Sequence, residues 1–283
     1  MLDKLMLLTP DWYEESYIAL ENQFSLINRN PKYMRLTTTL FLLSNFNPVR
    51  GLFPGRVIGI APGINTAYHF CRVLDDITDG VLELPRGYAS FNELKTALQK
   101  ALQENEYPND TLGILLRGTI RDMKEYYSVD LRNDILHFLD AMEEEHERRM
   151  HKTISSQDEL LQVYQNSFRV PQDIAFISLD ARVRSTDIPE LAELQGRIYA
   201  LRDLDEELPK GAIFIPKEAL PKEISSNELL RKYQTLPEVA HWKEQEMQKG
   251  RLLIGRLKQK KLDWRSRIIV NFTIKGLEKF VLS

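Results

Sequence analysis

The sequence predicts an all-α fold, and three observations carry that expectation. Apolar residues recur with the helical period in nearly every patterned segment, prolines fall between those segments or at their edges, and no stretch of strand length alternates apolar with polar residues. We therefore expect one domain over residues 1–283, an orthogonal helical bundle around a central cavity.

Periodicity marks helices over 11–28, 55–80, 91–105, 110–128, 130–150, 156–169, 187–208, 226–257 and 266–281. Pro31, Pro48, Pro54, Pro85, Pro108, Pro209 and Pro216 separate or border them, since a residue with fixed φ and no N–H suits a loop or a helix start. Ser90 and Asn109 offer side-chain oxygens as N-caps. Within 55–80, successive side chains turn by about 100°. That places Phe70, Val73, Leu74, Ile77 and Val81 on one stripe and Tyr68, Arg72, Asp75, Asp76 and Asp79 opposite. Within 187–208 the same count gathers Leu194, Ile198, Leu201, Leu204 and Leu208 on one side and Tyr199, Asp203, Glu206 and Glu207 on the other. Asp205 falls on the apolar side and is excluded from the acidic face.

Like charges three or four residues apart on a helix cost about 0.2–0.5 kcal/mol per pair, so each acid cluster calls for an offsetting cation or for water. Either cluster alone reads most simply as the solvated face of an amphipathic helix. Taken together, Asp75, Asp76 and Asp79 with Asp203, Glu206 and Glu207 suit Mg²⁺. This hard cation is usually held by one or two carboxylates and by the phosphate oxygens of a substrate.

The flanking residues are more specific. Tyr68-His-Phe-Cys-Arg72 runs into Asp75-Asp-Ile-Thr-Asp79, and Leu201-Arg-Asp-Leu-Asp-Glu-Glu207 is followed, after Leu208 and Pro209, by Lys210-Gly-Ala-Ile-Phe-Ile-Pro216. Together these resemble the two signatures of the squalene/phytoene synthase family, in the same order. Between them, Asp140 to Arg149, with Glu145 inside it, resembles the family's middle segment, which faces the same cavity; the resemblance spans about residues 55–220. It implies an isoprenoid synthase-like all-α fold and a Mg²⁺-dependent prenyltransferase acting on farnesyl or geranylgeranyl diphosphate. Asp75, Asp79, Asp203, Glu207, Tyr68 and Arg72 would be catalytic. Arg72, Arg202 and Lys210 would contact diphosphate, and Phe41, Phe168, Tyr199 and Glu145 would line the substrate site.

The departures are as specific as the matches. Tyr199 stands where the family places a metal-binding Asn, and a phenol at neutral pH is a poor Mg²⁺ ligand. Glu207 replaces an Asp. The family's small-residue stretch reads Ser167-Phe-Arg-Val-Pro-Gln-Asp-Ile-Ala175 here, so Pro171 would break the helix while Arg169, Gln172 and Asp173 bring polarity to a hydrocarbon wall. The family's N-terminal Ser-rich segment has only Thr37, Thr38, Thr39 and Phe41 as counterparts.

Composition excludes other classes. A net charge of −3 lacks the basic footprint of a nucleic-acid binder. A lone cysteine, Cys71, fits a reducing cytoplasm and an apolar packing role. No apolar run is long enough for a membrane span or suited to a signal peptide. The stretch from Arg265 to Val281 mixes Ile, Val, Phe and Leu with Arg and Lys, and it reads either as a last helix docked on the core or as a peripheral membrane contact.

Three functions remain. The first is head-to-head condensation of two prenyl diphosphates, with a non-reduced product because no Gly-x-Gly-x-x-Gly after a strand announces a nicotinamide site. The second passes the allylic cation to a small aromatic acceptor, or cyclises it. The third is a non-catalytic helical partner. Phe70, Tyr164 and Phe176 join Phe41 and Phe168 as aromatic residues able to face a cation. The loop from Pro209 to Pro216 reads as a lid hinged at Gly211, or as a plain turn with a solvated Lys210.

Overall fold

The structure, a computed structural model, describes residues 60–281, with side chains from Thr66 onward except Tyr126. The helix expected over 11–28, Phe41, the three threonines before it and the start of 55–80 lie outside the described residues. Among those described there are ten α-helices, short 3₁₀ turns and no strand, so the all-α expectation is met. The chain divides into two compact units, 1–136 and 137–283.

In the first unit, α1 (Ile60–Thr78) lies along α3 (Thr111–Tyr127), and α2 (Phe91–Glu104) packs on α3. Phe70, Leu74, Leu94, Leu98, Leu112, Leu115, Leu116 and Met123 are fully buried. The end of α1 is set by backbone geometry. Gly80 takes the left-handed conformation at φ 69°, its N–H donates to the Ile77 carbonyl and that of Val81 to Asp76, which satisfies carbonyls that the helix would leave open. Val81 therefore falls beyond the helix and is exposed, not part of the buried stripe expected of it. Ser90 caps α2, accepting the Glu93 N–H. α3 is capped by Asp110 and not by Asn109: the extended backbone at Asp110 lets its carboxylate accept the Gly113 N–H at 2.8 Å and the Tyr88 hydroxyl at 2.8 Å.

α4 (Arg132–His151) passes from the first unit into the second. α5 (Gln157–Ser178) opens on a capping box of Ser156 and Glu159 and runs on past the expected end at 169, straight through Pro171. A proline inside a helix costs about 3 kcal/mol. Burial of Val170, Ile174, Phe176 and Ile177 on the turns around it, at up to about 1.5–3 kcal/mol per large side chain, outweighs that.

The segment expected as one helix over 187–208 is two. α6 (Pro189–Arg202) ends at Asp203, and the single turn α7 (Leu204–Glu207) continues into a 3₁₀ turn over Leu208–Lys210. The segment 226–257 also divides, into α8 (Ser226–Lys232) and α9 (Pro237–Gln259), because Pro237 has no N–H and takes the first position of a new helix. α10 (Trp264–Val281) closes the unit. α6 packs against α5, α9 and α10. Leu194, Ile198, Leu201, Leu204 and Leu208 all lie in the core beside Trp242, Leu253, Val270 and Ile274, as their spacing requires.

Candidate functional site

α1 is covered on nearly every side. Over its last three turns Thr66, Ala67, His69, Phe70, Cys71, Val73, Leu74, Asp76, Ile77 and Thr78 are buried. The residues that stay partly exposed are Tyr68, Arg72, Asp75 and, just past the helix, Asp79. Their spacing of four, three and four residues makes one narrow polar stripe. Arg72 donates to Asp75 Oδ2 at 2.5 Å and to Asp76 Oδ1.

Asp76 departs from expectation: it is not on the open face but 1 % exposed. At 240° from Phe70 it lies on the flank of the stripe, where neighbouring structure closes over it. Burial pushes its carboxyl above the ordinary range, against the pull of Arg72, and Oδ2 is buried with no hydrogen-bond partner. All three acids also sit at the helix C-terminus, where the backbone dipole opposes negative charge by about 0.3–1 kcal/mol each and the last turn holds no basic residue. An unpaired buried oxygen, and acids set against the helix dipole, are groups that a hard divalent cation would stabilise.

The second cluster is arranged differently. Asp203, the C-cap of α6, receives Arg202 Nε at 2.6 Å and Nη2 at 2.5 Å. The same guanidinium lies 4.3 Å from the centroid of the Tyr199 ring, which is 5.6 Å from that of Phe168. Glu207 is held from two sides, by Arg149 Nη1 at 2.7 Å and by Lys210 Nζ at 2.9 Å. Lys210 also reaches the exposed Glu206 at 3.3 Å. Burial alone would raise the Glu207 carboxyl; the hydrogen bonds from Lys210 and Arg149 win and hold it below the usual range. Glu145 accepts from Ser167 Oγ at 3.2 Å and, with Arg148, Arg149, Ala212, Ile213 and Phe214, lines a small hollow.

Arg149, the partner of Glu207, is not singled out by the sequence pattern. It closes the middle segment in sequence, but only the fold brings it to Glu207. Three other expectations are corrected. The loop over 209–216 is packed, not a lid: Ala212, Ile213 and Ile215 are buried, the Ile213 carbonyl accepts from Arg148, and Gly211, at φ 100°, is pressed so close to the Arg149 carbonyl that a Cβ there would stand 2.6 Å from its oxygen. Asp173 faces no hydrocarbon wall, since its carboxylate is spent on the Ser185 N–H at 2.6 Å and hydroxyl at 2.9 Å, anchoring the 3₁₀ turn over Ser185–Asp187. Gln172, likewise buried, donates to Gln195 at 2.6 Å. Phe70, Tyr164 and Phe176 are fully packed core; Phe168 is half-buried.

Among the described residues no three His, Cys, Asp or Glu side chains form a ready-made metal cage, and no helix is long and apolar enough to cross a membrane. The squalene/phytoene synthase family model matches residues 60–274, well over half of the chain. No curated protein and no solved structure gives a significant match.

Proposed function

The chain belongs to the squalene/phytoene synthase family, a family of prenyltransferases, and from that premise we propose a Mg²⁺-dependent enzyme that ionises farnesyl or geranylgeranyl diphosphate and joins two such units head to head into a non-reduced hydrocarbon. The observation that carries this reading is the stripe of Tyr68, Arg72, Asp75 and Asp79 on a helix whose other side chains from Thr66 to Thr78 are buried. A helix that spends its one open strip on a phenol, a guanidinium and two carboxylates is built for a polar ligand.

Asp75, Asp76 and Asp79 in the first unit, and Asp203, Glu206 and Glu207 in the second, are the proposed metal ligands. Mg²⁺, when bound, supplies Lewis-acid neutralisation of the charge that develops on the departing diphosphate. Arg72 orients Asp75 and opposes the burial that raises the Asp76 carboxyl, and its guanidinium suits phosphate oxygens. Arg202 and Lys210 are the corresponding cations of the second cluster. An allylic cation is quenched by water, so the reacting carbons need an apolar, closed surrounding; Phe168 and Tyr199 offer aromatic faces to it.

A second reading has one observation behind it. Tyr199 replaces a metal-binding Asn and is already engaged by Arg202 and Phe168, which leaves one metal position short. It favours transfer of the cation to a small aromatic acceptor, or cyclisation. Incubation of the purified chain with Mg²⁺ and each diphosphate, followed by product analysis, separates the two. A hydrocarbon of doubled carbon number supports condensation, whereas a cyclic monomer, or turnover only with an added aromatic, supports the second. Asp75→Ala should lower Mg²⁺-dependent diphosphate release by about 100-fold or more; equal release from wild type and variant overturns both readings.

A further inference from the structure

α10 carries apolar residues on both sides. Ser266, Val270, Ile274, Leu277 and Val281 are buried against the core of the second unit, as an amphipathic helix requires. The opposite side should then be polar throughout, but Trp264, Ile268 and Phe272 are 54 %, 48 % and 67 % exposed on it. They recur every fourth residue and so form one outward stripe. At 100° per residue, Lys275, Lys279 and Arg265 fall within the same arc, together with Asn271 and Gly276, and no acidic residue of the helix does. The Arg265 guanidinium lies 5.3 Å from the Trp264 ring centroid and is paired with the Asp180 carboxylate at 2.5 Å, which leaves Lys275 and Lys279 as the cations of the face. Glu278, the one acid of the helix, is turned aside and paired with Lys258. α10 thus holds four basic side chains against one acidic in a chain whose net charge is −3.

We propose that this outward face of α10 docks the protein on an anionic lipid surface. Trp264, Ile268 and Phe272 enter the boundary between headgroups and acyl chains, and Lys275 and Lys279 meet the lipid phosphates. The charge decides the choice of occupant. A bare apolar stripe would suit another protein equally well, whereas an apolar stripe interleaved with Lys275 and Lys279, with no carboxylate of the helix in its arc, is complementary to a negatively charged interface with an apolar layer beneath it. Trp at the start of the stripe suits the headgroup level, where an aromatic ring with an N–H is at home. The docking is independent of the chemistry proposed above.

The test is flotation of the full chain with vesicles of phosphatidylcholine, with and without phosphatidylglycerol. We expect binding that requires phosphatidylglycerol and weakens as salt is raised. Lys275→Glu with Lys279→Glu, and separately Trp264→Ser with Ile268→Ser and Phe272→Ser, should each lower the bound fraction about tenfold or more. Vesicles should shift tryptophan emission to the blue, and Trp264→Phe should remove the shift. Both sets of changes are on the surface, so circular dichroism and turnover of prenyl diphosphate in the absence of vesicles should remain those of wild type. Failure to float with anionic vesicles, or flotation unchanged in both variants, overturns the inference while leaving the enzymatic reading in place. A dimer in solution that the triple serine variant dissociates assigns the face to a second copy and overturns it too.

Discussion

Arg149 reaches Glu207 across 58 positions of sequence and, with Lys210, leaves neither carboxylate oxygen without a cation. Both members of the Arg149 pair are largely buried, at 8 % and 15 % exposure, so the pair is worth more than a surface ion pair and its loss is felt twice. Arg149→Ala leaves a desolvated carboxylate with Lys210 alone, which should destabilise the protein by about 2 kcal/mol. We expect a lower urea midpoint with an unchanged slope. It also lets the Glu207 side chain wander, so turnover of prenyl diphosphate should fall, and Arg149→Lys should restore the charge but only part of the geometry. An Arg149→Ala protein with wild-type midpoint and wild-type turnover would show that the pair neither supports the fold nor positions Glu207.

α6 is the element that presents Asp203, and a buried ion pair ties it to α9. Arg197 of α6, 4 % exposed, donates to Glu246 of α9, 2 % exposed, while Glu193 accepts from Arg197 at 2.8 Å and Lys249 donates to Glu246 at 2.8 Å. Bringing these charges out of water costs several kcal/mol, and their attraction returns about as much only while all partners are present. Glu246→Ala leaves the buried Arg197 with Glu193 alone and should cost about 3 kcal/mol, whereas Arg197→Met with Glu246→Leu, of similar volume and no charge, should fall close to wild type. A thermal-unfolding double-mutant cycle reads the difference. Additive losses from the two positions would mean that the pair is solvated in solution and does not clamp α6.

At the scale of the whole molecule, what the sequence disclosed follows from the range of the interactions involved. The buried stripe of α6 and the capping of α2 by Ser90 are local, repeat every three or four residues, and were legible. Asp76 was misplaced because a helical wheel divides a helix into two halves, while α1 is covered over most of its circumference. Pro171 was read as a break because its local cost is visible and the burial that offsets it is not. The packed 209–216 loop and the Arg149–Glu207 pair depend on contacts far apart in sequence. His69 belongs to this second kind, being a polar side chain that only the fold hides. It is 1 % exposed, both ring nitrogens lack a hydrogen-bond partner, and its ring meets Tyr68 edge-on at 5.6 Å. Burial lowers its pKa from 6.5 to about 4. The unfolded chain therefore takes up a proton below about pH 6.5 that the folded chain refuses until about pH 4. Stability is fully present above that window and is lost through it, by about 3 kcal/mol in all. Carboxyls raised by burial, such as Asp76 and Asp122, act in the opposite sense, so the quantity to measure is the difference between wild type and His69→Leu. The variant should be more stable by about 1–2 kcal/mol at pH 7, because it removes two unpaired buried nitrogens. Its advantage should then widen as the pH is lowered from 6.5 to 4, read as urea midpoints by circular dichroism. A difference independent of pH over that range would mean that the imidazole is hydrated or paired in the folded protein, and that the cover over this side of α1 is open.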